Sequence, residues 1–101
     1  MQVFDLNEIS AHPYGERNKN VLYESGNFKV RIIELSAGGE ISPCEMTSHV
    51  IFYIISGKVE VSVNKEQKII SEGQCLITEP ATLSMKTETG VKIMGVQIES
   101  R

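Results

Sequence analysis

Gly38-Gly39-Glu40-Ile41-Ser42-Pro43-Cys44-Glu45-Met46-Thr47-Ser48-His49-Val50-Ile51-Phe52-Tyr53-Ile54-Ile55-Ser56-Gly57 is the stretch on which the fold turns. It starts on a glycine pair, passes a proline, runs into an aromatic-containing strand and closes on a glycine. Every position from Val50 to Ile55 is apolar. A strand that is apolar on both sides is buried on both sides. One side can meet a barrel core. The other needs a cover, from the N-terminal segment or from a second copy of the chain. Left bare, Ile51, Tyr53 and Ile55 would form an aggregation-prone patch. The pattern therefore predicts a homodimer.

Outward from this stretch, period-two alternation recurs and no long helical period is present. Phe28, Val30 and Ile32 alternate with Lys29 and Arg31. Val59, Val61 and Val63 alternate with Glu60, Ser62 and Asn64. Met94, Val96 and Ile98 alternate with Gly95, Gln97 and Glu99. Alternation places one set on a core face and the other toward solvent. Turn signals separate the runs: Ser25-Gly26-Asn27, Ala37-Gly38-Gly39, Ser56-Gly57, Asn64-Lys65-Glu66, Glu72-Gly73 and Thr89-Gly90. Many short strands with regular turns predict an all-β sandwich or barrel with little or no helix. Val91, Ile93 and Met94 break the alternation, which predicts a β-bulge there. The first twenty or so residues read as irregular, with a turn at His12-Pro13-Tyr14-Gly15.

A chain of 101 residues is the size of one domain, and 41% apolar content is ordinary for a folded one. No apolar run approaches the roughly 20 residues of a membrane-spanning helix. The start of the chain has an early acid and no basic region, unlike a signal peptide, so a cytoplasmic protein is expected, with no membrane partner. The formal charge of −3 and the lack of a basic patch argue against nucleic acid as a partner. Arg17-Asn18-Lys19 reads as a solvated loop. Cys44 and Cys75 stand far apart and form no C-x-x-C pair, so they read as reduced thiols.

The opening stretch resembles the first signature of the cupin superfamily: Gly, five residues, His-x-His, three or four residues, Glu, six residues, Gly. Here the frame is Gly38, Cys44-x-Met46, Val50 and Gly57. Gly73 to Met85 resembles the second signature, Gly, five residues, Pro-x-Gly, two residues, His. It carries one extra residue before Pro80, Thr82 in place of the glycine, and Met85 where the histidine belongs. The resemblance covers roughly residues 28 to 98. It implies a single cupin domain: a jelly-roll barrel of two facing antiparallel sheets, often dimeric, with a site inside the mouth. Residues 1–27 would add an edge strand or a dimer contact.

Metal-binding cupins hold a divalent ion with imidazoles and a carboxylate. The resemblance puts Cys44, Met46, Val50 and Met85 at those positions. Valine has no lone pair to donate, and the lost glutamate removes the negative charge a divalent ion favours. Unpaired histidine and glutamate in a metal-free barrel would cost about 1–3 kcal/mol each. An apolar side chain there recovers about 1.5–3 kcal/mol on full burial. The expectation is a cupin without metal or other cofactor. A small, mainly apolar ligand would sit among Cys44, Met46, His49, Val50, Phe52 and Met85, in a sensing or accessory role.

Two alternatives stand beside it. Cys44, Met46 and Met85 form a soft donor set that suits copper(I), although methionine also fills irregular core gaps. Some cupin isomerases work without metal, on nucleotide sugars, with a histidine base. Only His49 fits that role here, and alternation turns it away from the interior if Val50 points in. An enzyme of either kind, isomerase or dioxygenase-like, is one alternative; a structural dimer with a barrel filled by side chains is the other. His12 reads as a surface histidine, and Glu45 and Glu79 as solvated loop acids. No G-x-S-x-G frame or Gly-rich phosphate loop is present.

Overall fold

One strand organises the molecule. In the computed structural model, which describes residues 1–99, the apolar run of the decisive stretch begins a strand, β4, of 15 residues, His49–Val63. That is far beyond the usual strand length of about 5–6 residues. The remaining strands are β1 (Val21–Glu24), β2 (Phe28–Leu35), β3 (Glu40–Glu45), β5 (Glu66–Ser71), β6 (Cys75–Thr78), β7 (Thr82–Lys86) and β8 (Val91–Ile98). All pairings are antiparallel. The first half of β4 pairs with β8 and β6, in a sheet that continues through β2 to β1. Its second half pairs with β5 and β7, and β7 pairs with β3. The chain is all-β, two facing sheets curled into a jelly-roll barrel, as the patterning and the resemblance implied.

Ser56-Gly57 is not a turn, as the dipeptide had predicted, but the corner at which β4 passes from one sheet to the other. Gly57 has φ +81°, and a Cβ there would overlap the Gly90 carbonyl oxygen. Just before it, the register against β8 slips between Ile54 and Ser56. An extra residue bends a strand and raises its twist. The predicted bulge therefore lies on β4, and β8 runs in unbroken register against β2. Val91 and Ile93 face the interior and Met94 faces out. Both faces of β8 are apolar, and this imitates a break in phase.

The interior is one apolar cluster. β2, β4 and β8 supply Ile33, Leu35, Val50, Phe52, Ile54, Val91 and Ile93 from one sheet. Ile41, Val59, Val61, Leu83 and Met85 come from the other. The expected alternation of Val59 and Val61 with polar neighbours holds. β2 is different: its interior positions are Arg31, Ile33 and Leu35, opposite Gly95, Ile93 and Val91. Phe28, Val30 and Ile32, the regular apolar set, lie on the outer face. Ile32 is nonetheless only 1% exposed. The N-terminal segment reaches this side: the Ala11 N–H donates to Glu34 Oε2 (3.2 Å) and Lys92 Nζ to the Asn7 carbonyl (3.5 Å).

Residues Tyr14–Asn20 form a 3-10 segment with a kink at Glu16, where the sequence had predicted irregular chain and a solvated Arg17-Asn18-Lys19 loop. The buried Asn20 holds it. Its Oδ1 accepts from the His12 N–H (2.8 Å) and its Nδ2 donates to the His12 carbonyl (3.0 Å). Local propensity does not announce such a segment, because the closing hydrogen bonds span eight residues. No helix among the described residues is long and apolar enough to cross a membrane.

Candidate functional site

Arg31, Gly95 and Phe52 stand directly opposite one another on β2, β8 and β4, facing the interior. Gly95 makes the row possible. A Cβ there would lie 3.1 Å from Phe52 Cε1 and 3.3 Å from Cδ1, and 3.8 Å from Arg31 Cγ. The Phe52 ring and the Arg31 stem therefore share the space a side chain would have filled. This row lines a cavity of about 240 Å³.

Phe52, Ile33 and Ile41 give the cavity an apolar floor, and Cys44 and Met46 form one wall. Cys44 Sγ lies 3.8 Å from Met46 Sδ. Met46 is fixed by two backbone hydrogen bonds with Ala81, its N–H donating at 2.8 Å and its carbonyl accepting at 3.2 Å. The 3-10 segment adds Tyr14 and Arg17 to the lining. The Arg17 guanidinium lies 4.8 Å from the centre of the Tyr14 ring, and its Nη1 donates to the Tyr14 carbonyl (3.3 Å). Arg31 and Gln97 complete the lining. Arg31 Nε is closed off from solvent and has no hydrogen-bond partner among the described residues.

The six residues expected to gather at a site are divided by the structure. Cys44, Met46 and Phe52 line the cavity. Val50 is fully buried, opposite Gln97 and in the core cluster with Phe52. Met85 is buried in the same cluster, opposite Ile41 and Val61, but away from the cavity lining. His49 is exposed on the outer face, opposite Ile98, and does not share the cavity. β4 alternation is the cause: Val50, Phe52 and Ile54 take the interior, and His49 takes the other parity.

Arg17, Arg31, Tyr14 and Gln97 were not legible as site residues. Arg31 did carry a signal, since it shares parity with Ile33 and Leu35 as well as alternating with Val30 and Ile32.

The cupin fold raises the question of a divalent metal, and these residues do not fit one. Among the described residues no three His, Cys, Asp or Glu side chains come together. Val50 offers no donor, Met85 sits off the cavity, and two guanidinium groups face the same space. Cys44 and Met46 alone leave a two-sulfur pair beside those cations.

No protein-family model matches the sequence, and no curated protein matches it. Solved structures do. The chain superposes on the TT1209 protein from Thermus thermophilus with TM-score 0.80 and 16% identity, covering 97% of both chains. A cupin superfamily protein from Desulfitobacterium hafniense gives 0.77 at 12% identity, over 94% of this chain and 87% of that one. The Cnp3 cupin domain of Schizosaccharomyces pombe gives 0.74 at 21% identity, over 79% of this chain and 62% of that one. At these identities the likeness carries the fold and nothing finer. Strand order, two-sheet closure and these neighbours agree that the chain is a small cupin-fold protein.

Proposed function

We propose that this protein is a binding module that takes a small molecule with an apolar body into the mouth of its barrel, in a sensing or accessory role. The observation that carries this reading is the 240 Å³ cavity over Phe52, Ile33 and Ile41. It is larger than the engineered cavity of about 150 Å³ that holds benzene. Backbone-amide NMR titration with a library of small aromatic and branched aliphatic compounds tests the reading. Shifts should concentrate at Cys44, Met46, Phe52 and Gly95. If no compound perturbs these amides at millimolar concentration, the reading fails and the structural-scaffold alternative takes its place.

The outer face of the β2–β8–β4–β6 sheet supports a second reading, that the module is a homodimer. Ile51 pairs with Val96 and Ile77, and Tyr53 with Met94 and Cys75, on the face away from the core. Ile77 is 68% exposed. A second copy would bury this apolar surface, as monomers rarely leave large contiguous apolar patches bare. Light scattering on the purified chain should return twice the monomer mass, and Ile77→Lys should halve it. A monomer at all concentrations would end this reading. Both cysteines are free and exposed, which supports a reducing, cytoplasmic setting.

A further inference from the structure

We infer that the cavity selects a small monocarboxylate, with the Arg31 guanidinium as its principal anchor and Arg17 as a second cation at the rim. This deepens the binding reading and rests on it. Two arginines line the cavity and, among the described residues, no acidic side chain does. The charge is local to the site, because the whole chain is acidic, at −3. Arg31 makes no ion pair among the described residues. Of the two arginines that line the cavity, Arg31 is the one whose Nε is closed off from solvent without a partner among the described residues.

Buried polar groups in folded proteins have partners, and a charge held away from water without one is costly. Only the Nε is closed off in Arg31; at its other N–H groups an anion would replace water with a charge-assisted contact. The guanidinium fork matches the planar geometry of a carboxylate and forms paired N–H···O bonds with it.

The rest of the lining defines the body of the ligand. Beside Arg31 the lining holds the Phe52 ring, Ile33, Ile41 and the thioether of Met46. These surfaces suit a flat ring or a branched aliphatic chain. A phosphate group is a poorer match: it would leave the apolar floor uncovered, and no backbone nest or glycine-rich loop lines the cavity. Arg17 already donates to the Tyr14 carbonyl and lies over the Tyr14 ring. That holds its remaining N–H groups at the rim, where a carboxylate enters.

The test uses benzoate, its neutral counterpart benzyl alcohol, and inorganic phosphate as probes, with the full chain and its Arg31→Gln and Arg17→Gln variants. Affinities come from amide NMR titration, which also reports that each variant is folded. Benzoate should bind the unmodified chain about tenfold or more tightly than benzyl alcohol, the gain expected of a charge-assisted contact. Arg31→Gln should abolish that preference and leave benzyl alcohol within about twofold of its original affinity, since the apolar floor is untouched. Arg17→Gln should reduce the preference in part. Rising salt should weaken benzoate but not benzyl alcohol.

Equal affinity for benzoate and benzyl alcohol in the unmodified chain overturns the carboxylate inference and leaves the binding reading standing. Phosphate binding more tightly than benzoate overturns the ligand class. A benzoate preference that survives both substitutions overturns the assignment to these arginines. Failure of benzoate, benzyl alcohol and every compound of the wider library to bind overturns both inference and reading. Should Arg31→Gln not fold, Arg31→Lys is measured instead. It keeps the charge and loses the fork, so benzoate affinity should fall and benzyl alcohol affinity should hold.

Discussion

Replacing Arg31 with methionine should make the ligand-free protein more stable, although it removes a residue of the barrel interior. Methionine keeps an unbranched apolar stem along Gly95 and discards the guanidinium head. In the parent chain Arg31 is half-buried, and among the described residues its Nε is sealed from solvent and unpartnered and no carboxylate lines its cavity. A buried unsatisfied donor costs about 1–3 kcal/mol. The N–H groups facing the cavity still meet water, so the lower end applies, and the gain should be about 1 kcal/mol. For a domain of this size that is a rise of about 4–8 °C in melting temperature.

The assay is thermal unfolding by circular dichroism in a chloride buffer free of carboxylates and phosphate, with and without benzoate. Benzoate at 100 times its dissociation constant should stabilise the parent by about 2.7 kcal/mol and the variant far less, reversing their order. A lower melting point for Arg31→Met without ligand would refute the reasoning. It would mean that Arg31 is satisfied within the chain and that its place at the cavity is structural.

Val50→Glu should unfold the barrel or lower its stability by several kcal/mol, because position 50 is fully buried and an unpaired carboxylate there is costly; urea denaturation measures it. Gly95→Val should cost about 1–3 kcal/mol as an overpacked site and close the cavity, since the added side chain meets the Phe52 ring; loss of all amide perturbation by benzoate checks it. Asn20→Ala removes both side-chain hydrogen bonds to His12 and should cost about 1–3 kcal/mol. Amide exchange should speed up across Tyr14–Asn20 before it does in β4 and β8.

Most of the architecture was legible because β4 carries a pattern few folds accommodate. An apolar run on both faces and alternating Val59, Val61 and Val63 pointed to a sandwich or barrel, and the resemblance of the glycine frame to the first cupin signature implied the closed barrel. β2 was misread for a physical reason: its outer face is as apolar as its inner one. Phe28, Val30 and Ile32 make the more regular series, and only pairing with Gly95 and Phe52 shows that Arg31, Ile33 and Leu35 look inward.

The candidate site was half legible. Cys44, Met46 and Phe52 were reached through the resemblance of the decisive stretch to the first cupin signature. Met85 follows from a second signature that carries an insertion, and it falls into the core rather than onto the cavity. Arg17 could not have been placed, since its position depends on a fold-back fixed by the distant hydrogen bonds of Asn20. The polar half of the cavity was therefore hidden, and the ligand looked more apolar than the lining warrants.

A single unbroken strand serving both layers has a mechanical outcome. Because β4 is stitched to β8 and β6 on one side of Gly57 and to β5 and β7 on the other, the layers cannot gape like a clam without tearing ladder hydrogen bonds. Adjustment of the hollow to a ligand therefore falls to Tyr14 and Arg17, on a segment held by the hydrogen bonds of Asn20 to His12 and not by the ladders. Local opening reaches such chain at little expense in free energy, while the strands around it keep their shape.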